Sequence, residues 1–587
     1  MTHHVPAARI VALILAMSTI GARTNDATAE PVPDPVVFVT PWLERGDHGT
    51  QPRPDQIRDT ISIAAAPGEY EPATISIRSV RPLQQVRLEV VGDLMSDAGD
   101  RIDAEAVTIR LADPFESWTK RDDIEQFLLR ENTVDLTGNT TRRFWLTVHV
   151  PENARPGTYR TKLIVGIPTT ELGPDLGRLQ TIKALDFEVT VRPLRLLDAH
   201  ETGMAYFMYN NTGYFSKLPG GNETFVTPAY QKRVFEDMRR HGMTTATLYL
   251  YPVIEDQFSL TRSEPGHLGF APSMELLAET HLVAPDLPVI WLGAGGYGPD
   301  IWTQVLDERR RQGWPEIVFY GVDEPGEEDR NKRVRAFMRE FEPFRERRFD
   351  DPVRLTTALG SSQGIQTVGH YFDLWIACMG QRIGESGVIA DAKMHRKELW
   401  TYDCMLAPVD AETDRYYFGV WAWVSQVKGC AHWCYFDAMP KLSYVYPAED
   451  ELIPTVGWEA VREGIDDYRY LATLKRQVER AAEAGRDDLV QGGEEVFAQA
   501  RAMVTMDNYG KAFLQALGDT AEAPAYKPAK GRARPPAGRL RRPASGGGRP
   551  DYDHHRGADE IDTMTMTKTW IPTSCPIPTR DHRECAR

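Results

Sequence analysis

Near residue 195 the hydrophobic rhythm of this chain changes, and that change limits the fold more than any other feature. From about 36 to 195 apolar and polar residues alternate with period two, as half-buried strands require. "TISIAAAPGEYEPATISIRSV" alternates on both sides of "APGEYEP", which reads as a hairpin-like break. "RRFWLTVHVPENARPGTYRTKLIV" does the same around "PENARPG", and "LDFEVTVRPL" (185–194) adds another run. Short strands separated by Pro/Gly turns predict a β-sandwich over 36–195. From about 200 to 475 strand-like runs alternate with helical ones. "AYQKRVFEDMRRHGM" (229–243) has helical spacing and closes on Gly242, a residue suited to the left-handed stop. "TTATLYLY", "PVIWLGAG", "EIVFYGVDEP", "VRLTTAL", "FDLWIAC", "KELWTYDC" and "GCAHWCYFDA" read as strands. "DIWTQVLDERRRQGW" and "DRNKRVRAFMREFEPF" read as helices between them. The alternation predicts a (β/α)8 TIM-like barrel over 200–475, with a doubly wound sheet as the alternative. Eight clean units are not countable, because 200–228 and the segments around 380 fit neither period. Helical spacing over 459–485 and from 487 onward predicts a C-terminal helical segment at 476–522.

The chain ends read differently. Arg9 precedes the apolar run "IVALILAMSTI" (10–20), and "ATA" at 27–29 fits a small-residue cleavage site. Residues 1–29 therefore read as a cleavable signal peptide, and the protein as secreted or periplasmic. That run is too short to span a bilayer, and no later segment reads as transmembrane, so no stable membrane insertion is expected. "KPAKGRARPPAGRLRRPASGGGRP" is rich in Arg, Pro and Gly and contains no acid. Such a composition cannot build a core, so 523–587 reads as a disordered basic tail. Over the whole chain 84 acidic and 68 basic residues give a net charge of −16. That balance argues against nucleic acid as a partner.

Cys378, Cys404, Cys430 and Cys434 lie in apolar or aromatic surroundings and read as small buried hydrophobes. On a regular strand Cys430, His432 and Cys434 would share a face. No second ligand cluster accompanies them, so no metal is expected. No cofactor is expected either, since no GxGxxG follows a strand and no Walker loop is present.

If the central region is a barrel, chemistry belongs at the C-terminal ends of its strands. Asp323 and Glu324 stand at such an end in "VFYGVDEPG". In a surface loop the pair would be a solvated turn; at a barrel mouth it is a candidate acid pair. Proton delivery to a glycosidic oxygen is worth 10²- to 10⁴-fold in rate. At roughly 6 Å and an effective dielectric of about 20, the pair's repulsion is roughly 3 kcal/mol, or about two pKa units. That would keep the glutamate partly protonated near neutral pH, as a general acid should be. Most glycosidases place two carboxylates on opposite sides of the bond, which adjacent residues do not easily do. Adjacency suits the substrate-assisted exception, in which a 2-acetamido oxygen attacks the anomeric carbon. Glu324 then reads as the acid/base and Asp323 as the acetamido partner. Sugars stack on aromatic rings, and strand alternation puts Trp400 with Tyr402 on one face and Trp433, Tyr435 and Asp437 on another. Trp400, Tyr402, Tyr435 and Asp437 are the candidate substrate-binding residues, and Trp433 reads as core. Asp437 is also the candidate nucleophile for an ordinary two-carboxylate mechanism on a sugar without the acetamido group.

"GVDEP", "LWTYDC", "GVWAWVSQVKGCAHWCYFD" and above all "WEAVREGIDDYRYLATL" resemble glycoside hydrolase family 123 and its uncharacterised secreted relatives. So do "GEYEPATISI" and "FWLTVHVPENARPGTYRTKLIV". The resemblance spans roughly 36–480. It implies a β-sandwich ahead of a (β/α)8 barrel and a glycan or oligosaccharide substrate. It further implies an exo-acting, retaining, substrate-assisted β-N-acetylgalactosaminidase, with Asp323 stabilising the acetamido group and Glu324 as acid/base. A carbohydrate-binding surface protein without catalysis is the alternative from another class. Glu463, Asp466 and Asp467 of "REGIDDYRYL" are expected on a solvated, salt-bridged helix face rather than in a calcium site.

Overall fold

The computed structural model describes residues 34–114, 125–169, 177–210, 223–262, 267–348, 350–378, 388–403, 411–436, 443–448 and 450–504. The expected signal peptide, the basic tail, Cys404 and Asp437 lie outside the described residues.

The first region forms two sheets. One is antiparallel, ordered Val36–Phe38, Tyr70–Ser79, Thr140–His149, Val107–Pro114 and Glu125–Leu129. The other is ordered Thr60–Ala65, Leu179–Val191, Gly157–Pro168, Leu83–Ser96 and Arg101–Ile102, with Thr133–Leu136 also paired to Leu83–Ser96. Ile75, Phe144 and Leu146 from the first share one apolar core with Leu88, Leu163 and Val189 from the second.

The two hairpins expected from the sequence do not form. Thr60–Ala65 and Tyr70–Ser79 belong to different sheets, and so do Thr140–His149 and Gly157–Pro168. Both turns are corners between sheets, and they are tied together. Gly68 N–H donates to the Val150 carbonyl, and Val150 N–H to that of Glu69. Period two marks where a strand stops, not which sheet the next strand joins.

Eight parallel strands then close into a barrel. They are Ala205–Asn210 (β1), Thr247–Leu248 (β2), Val289–Trp291 (β3), Ile317–Tyr320 (β4), Leu355–Leu359 (β5), Leu374–Cys378 (β6), Glu398–Asp403 (β7) and Gly429–Phe436 (β8). Each pairs with the next, and β8 returns to β1. Strand β1 lies in the stretch that fitted neither period. All six residues of "AYFMYN" are buried, so no polar alternation announces them.

Helices fill the connections: Pro228–Arg240 (α1), Phe270–Thr280 (α2), Pro299–Gln312 (α3), Glu328–Glu346 (α4), Ser362–Val368 (α5), Val388–Met394 (α6) and Ala411–Tyr416 (α7). Helix α1 shows why they start and stop. The Thr227 hydroxyl caps it by accepting from Tyr230 N–H, Pro228 opens it, and Gly242 follows at φ +81°. Phe207, Ile290, Val318, Ile376 and Trp400 pack inside the barrel. Tyr206, Trp291, Phe319 and Trp375 pack in the layer between strands and helices.

Helices Val456–Glu483 (α8) and Asp487–Met503 (α9) follow. The expected solvated face of α8 is instead a buried seam against the five-stranded sheet. Glu463 and Asp466 are only 3% and 5% exposed. Tyr470 donates to Glu69 at 2.8 Å, and Thr147 to Glu459 at 3.3 Å. Arg415 clasps Asp467 with two bonds of 2.7 and 2.9 Å, while Arg462 pairs with Glu459 and Arg469 with Asp466. Charge spacing along the helix does not reveal that a sheet more than 300 residues earlier covers it.

Candidate active site

The two acids follow β4, whose alternation sends Val318 and Tyr320 into the barrel and Ile317 and Phe319 outward. Gly321 N–H extends the ladder to the Thr356 carbonyl at 2.9 Å, and the Thr357 hydroxyl holds the Val322 carbonyl at 2.7 Å. The chain then bends. Glu324 takes φ +39°, left-handed backbone that non-glycine residues adopt uncommonly and that concentrates at functional sites. Strand neighbours would face opposite sides; this turn is what lets adjacent carboxylates escape that rule.

Each acid has its own tyrosine. Tyr320 donates to Asp323 Oδ1 at 2.5 Å and accepts the Ala358 N–H at 3.0 Å. Tyr402, from β7, donates to Glu324 Oε1 at 2.6 Å. Arg330, in the first turn of α4, donates to the Glu324 carbonyl at 3.2 Å and holds its guanidinium 3.9 Å from Oε2. Gly360 closes one side. A Cβ there would lie 3.1 Å from Glu324 Oε1 and 3.3 Å from the Tyr402 hydroxyl.

Both acids are open to solvent on one side. Protein crowds Asp323 on the others, and that burial raises its pKa above the ordinary aspartate value. The Tyr320 hydrogen bond opposes the rise, the charge of Glu324 adds to it, and Arg330 opposes it more weakly. The raised acid is thus Asp323, with burial ahead of the neighbouring charge.

The candidate substrate-binding residues separate. Tyr402 is at the mouth, on Glu324. Trp400, two residues earlier on the same face, is wholly buried inside the barrel, with its ring 5.4 Å from Phe207 and its N–H on Glu398 at 2.8 Å. It fills the barrel interior rather than the mouth. Tyr435 points outward: its hydroxyl donates to Asp237 at 2.6 Å and its ring lies 5.3 Å from Trp458.

The reason is a register shift in β8. Met208 pairs with His432 but Asn210 with Phe436, so four residues of β8 span two of β1. Past the shift alternation fails, and Trp433 and Cys434 both join the barrel interior. Cys430 joins the outer layer. Cys430, His432 and Cys434 therefore do not share a face.

Sequence reasoning did not single out Tyr320, Tyr209 or Tyr249; Trp433, expected as core, packs against the barrel-interior cluster. The half-buried Trp433 ring lies 5.3 Å from Tyr209, whose ring is 6.4 Å from Tyr402. Tyr249, just past β2, has its hydroxyl pKa pushed well up, by burial first and by the charge of Asp323 next. A signal was available for two of them. Tyr209 and Tyr320 each stand in the last two positions of a strand, as Tyr402 does. Tyr320 and Tyr402 each orient one carboxylate, and Tyr209 packs against both Tyr402 and Trp433.

The family model described as the glycoside hydrolase 123 N-terminal domain matches residues 47–167. No curated protein matches the chain. Among solved structures, a family 123 glycoside hydrolase from Clostridium perfringens, studied for glycolipid glycan hydrolysis, is similar at 13% identity and TM-score 0.57. The match covers 80% of this chain and 98% of that one. At that identity the likeness speaks for the fold. Two fainter likenesses carry no argument: an endoglucanase from Clostridium longisporum (10% identity, TM-score 0.30, 47% of this chain and 99% of that one) and Saccharomyces cerevisiae Gas2p (12%, 0.31, 45% and 64%).

Proposed function

We propose, on the premise that this chain belongs to glycoside hydrolase family 123, that it cleaves terminal 2-acetamido-2-deoxy-β-hexosides, foremost β-N-acetylgalactosaminides. The fold is read as a β-sandwich ahead of a (β/α)8 barrel, and the enzyme as secreted. The observation that carries the reading is the side-by-side pair at the end of β4, each acid on its own tyrosine. Such a pair lies on one side of a glycosidic bond, so the second side must be served by the substrate.

In this mechanism the acetamido oxygen attacks the anomeric carbon as Glu324 gives its proton to the departing oxygen. Asp323 accepts the acetamido N–H and balances the positive charge of the oxazolinium-like intermediate. Glu324, now a base, takes a proton from the water that opens this ring, and the β configuration is retained. The test is Glu324→Gln on an aryl β-N-acetylgalactosaminide, together with a thiazoline mimic of the cyclic intermediate. Hydrolysis should fall by 10²-fold or more, and the thiazoline should inhibit the wild type. Near-wild-type turnover in the variant, or indifference to the thiazoline, overturns the reading.

A further inference from the structure

We infer that Tyr320 is the positioning residue for Asp323: its hydroxyl holds that carboxylate as a hydrogen-bond acceptor and leaves the remaining acceptor capacity to the substrate's N–H. The inference rests on the proposed role of Asp323 as acetamido partner.

The argument is one of hydrogen-bond direction. Tyr320 ends β4 with its ring inside the barrel, 5% exposed. Its oxygen accepts the main-chain N–H of Ala358 at 3.0 Å. An amide N–H only donates, so this bond cannot reverse. A phenol carries a single proton, and with its acceptor side engaged that proton goes to the other neighbour, Asp323 Oδ1 at 2.5 Å. The backbone of β5 thus dictates, through Tyr320, that Oδ1 accepts. The Glu324 main-chain N–H also acts on this carboxylate, and the remaining acceptor capacity faces a donor from the substrate, as the acetamido N–H is. Glu324 draws its hydroxyl from a different strand, through Tyr402. Two adjacent acids are thereby held by separate parts of the barrel, and one can be disturbed without the other.

The bond also has an electrostatic side. Burial raises the pKa of Asp323, and the Tyr320 bond works against it. Asp323 balances a positive intermediate only when ionised. Loss of the hydroxyl should therefore move the acid limb of the rate profile to higher pH.

Tyr320→Phe keeps the ring and removes the bond. On an aryl β-N-acetylgalactosaminide its kcat/KM should fall roughly tenfold or more at mildly acidic pH, mostly in kcat, with the acid limb displaced to higher pH. Thr357→Val supplies the structural comparison: it loosens the backbone at Val322 but leaves the Tyr320–Asp323 bond, and its acid limb should coincide with that of the wild type. An unmoved limb in Tyr320→Phe, or an equal displacement in Thr357→Val, overturns the inference. A second readout needs no substrate. The carboxyl ¹³C titration of Asp323, identified by its loss in Asp323→Asn, should shift to higher pH in Tyr320→Phe. If the wild type neither cleaves the glycoside nor binds a thiazoline, the proposed function falls. The ¹³C titration then still decides the positioning role: a raised midpoint upholds it and an unchanged one overturns it.

Discussion

Burial raises the pKa of Asp323 and the Tyr320 hydroxyl lowers it, with burial the larger effect. For a residue that acts ionised, the consequence is a rate lost on acidification earlier than an ordinary aspartate would lose it. The acid limb of kcat/KM should therefore lie above pH 3.8, the ordinary aspartate value, and Asp323→Asn should abolish it along with most of the activity. Gly360 makes a separate point about space. A methyl group there meets Glu324 and Tyr402 at 3.1–3.3 Å, so the carboxylate must give way by a few tenths of an ångström. Gly360→Ala should lower kcat about tenfold while the melting temperature hardly moves, because small misplacements of a catalytic group are costly in rate and cheap in packing. Tyr435→Phe should do the reverse. It removes a buried bond to Asp237 on the far side of β8, so stability should drop by about 1–3 kcal/mol with KM unchanged.

At the level of elements, the alternation of strands and helices made the barrel legible, because that alternation is what a parallel sheet with covering helices imposes on sequence. Two kinds of information were not written there. Strand β1 is buried throughout, so it has no period to read. Strand β8 is periodic as far as Trp433, but its pairing slips between Met208 and Asn210, and past the slip alternation fails. That break puts Cys434 inside the barrel and turns Tyr435 outward, while Trp433 keeps the face of Ala431. The acid pair and Tyr402 were legible from their places at strand ends; that Tyr402 reaches Glu324 was not, because a contact between strands leaves no local trace. Trp433→Ala gives a check on the placement of that ring. As a mouth residue it should raise KM several-fold, by loss of stacking worth about 0.5–1.5 kcal/mol, with little change in kcat. A variant with normal KM and reduced stability would return Trp433 to the core.

For the molecule as a whole, the seam between α8 and the first sheet gathers a cluster of shifted acids. Burial, then the charge of Glu69, raises Glu71 to about 8. Burial, then Asp466, raises Glu69 to about 7. Glu463 and Asp466 are raised as well, by burial first. Burial opposes the ionisation of Glu459 too, yet Arg462 and His241 hold it well below the usual range. The four raised acids bind protons more tightly folded than unfolded. The stability they lend is complete below about pH 4, under the ordinary values of 4.5 for the glutamates and 3.8 for Asp466, and drains away as pH climbs through 7 to 8. Glu459 acts in the opposite sense: its contribution is present above its ordinary value of 4.5 and is lost as pH falls below it. Melting temperature should therefore be higher near pH 5.5 than near pH 8.5, by about 2 °C or more, and Glu71→Gln should flatten the difference.

That seam also bears on how the protein can be divided. The Arg462–Glu459 pair and Tyr470 reach across to Thr147 and Glu69 of the sheet. A barrel cut free near residue 200 would face water with acids and guanidiniums arranged for a partner that is gone, and with the apolar surface between them uncovered. Whoever trims this chain to its chemistry should expect an insoluble product, and whoever grafts another barrel onto the sheets must bring a matching helix with it.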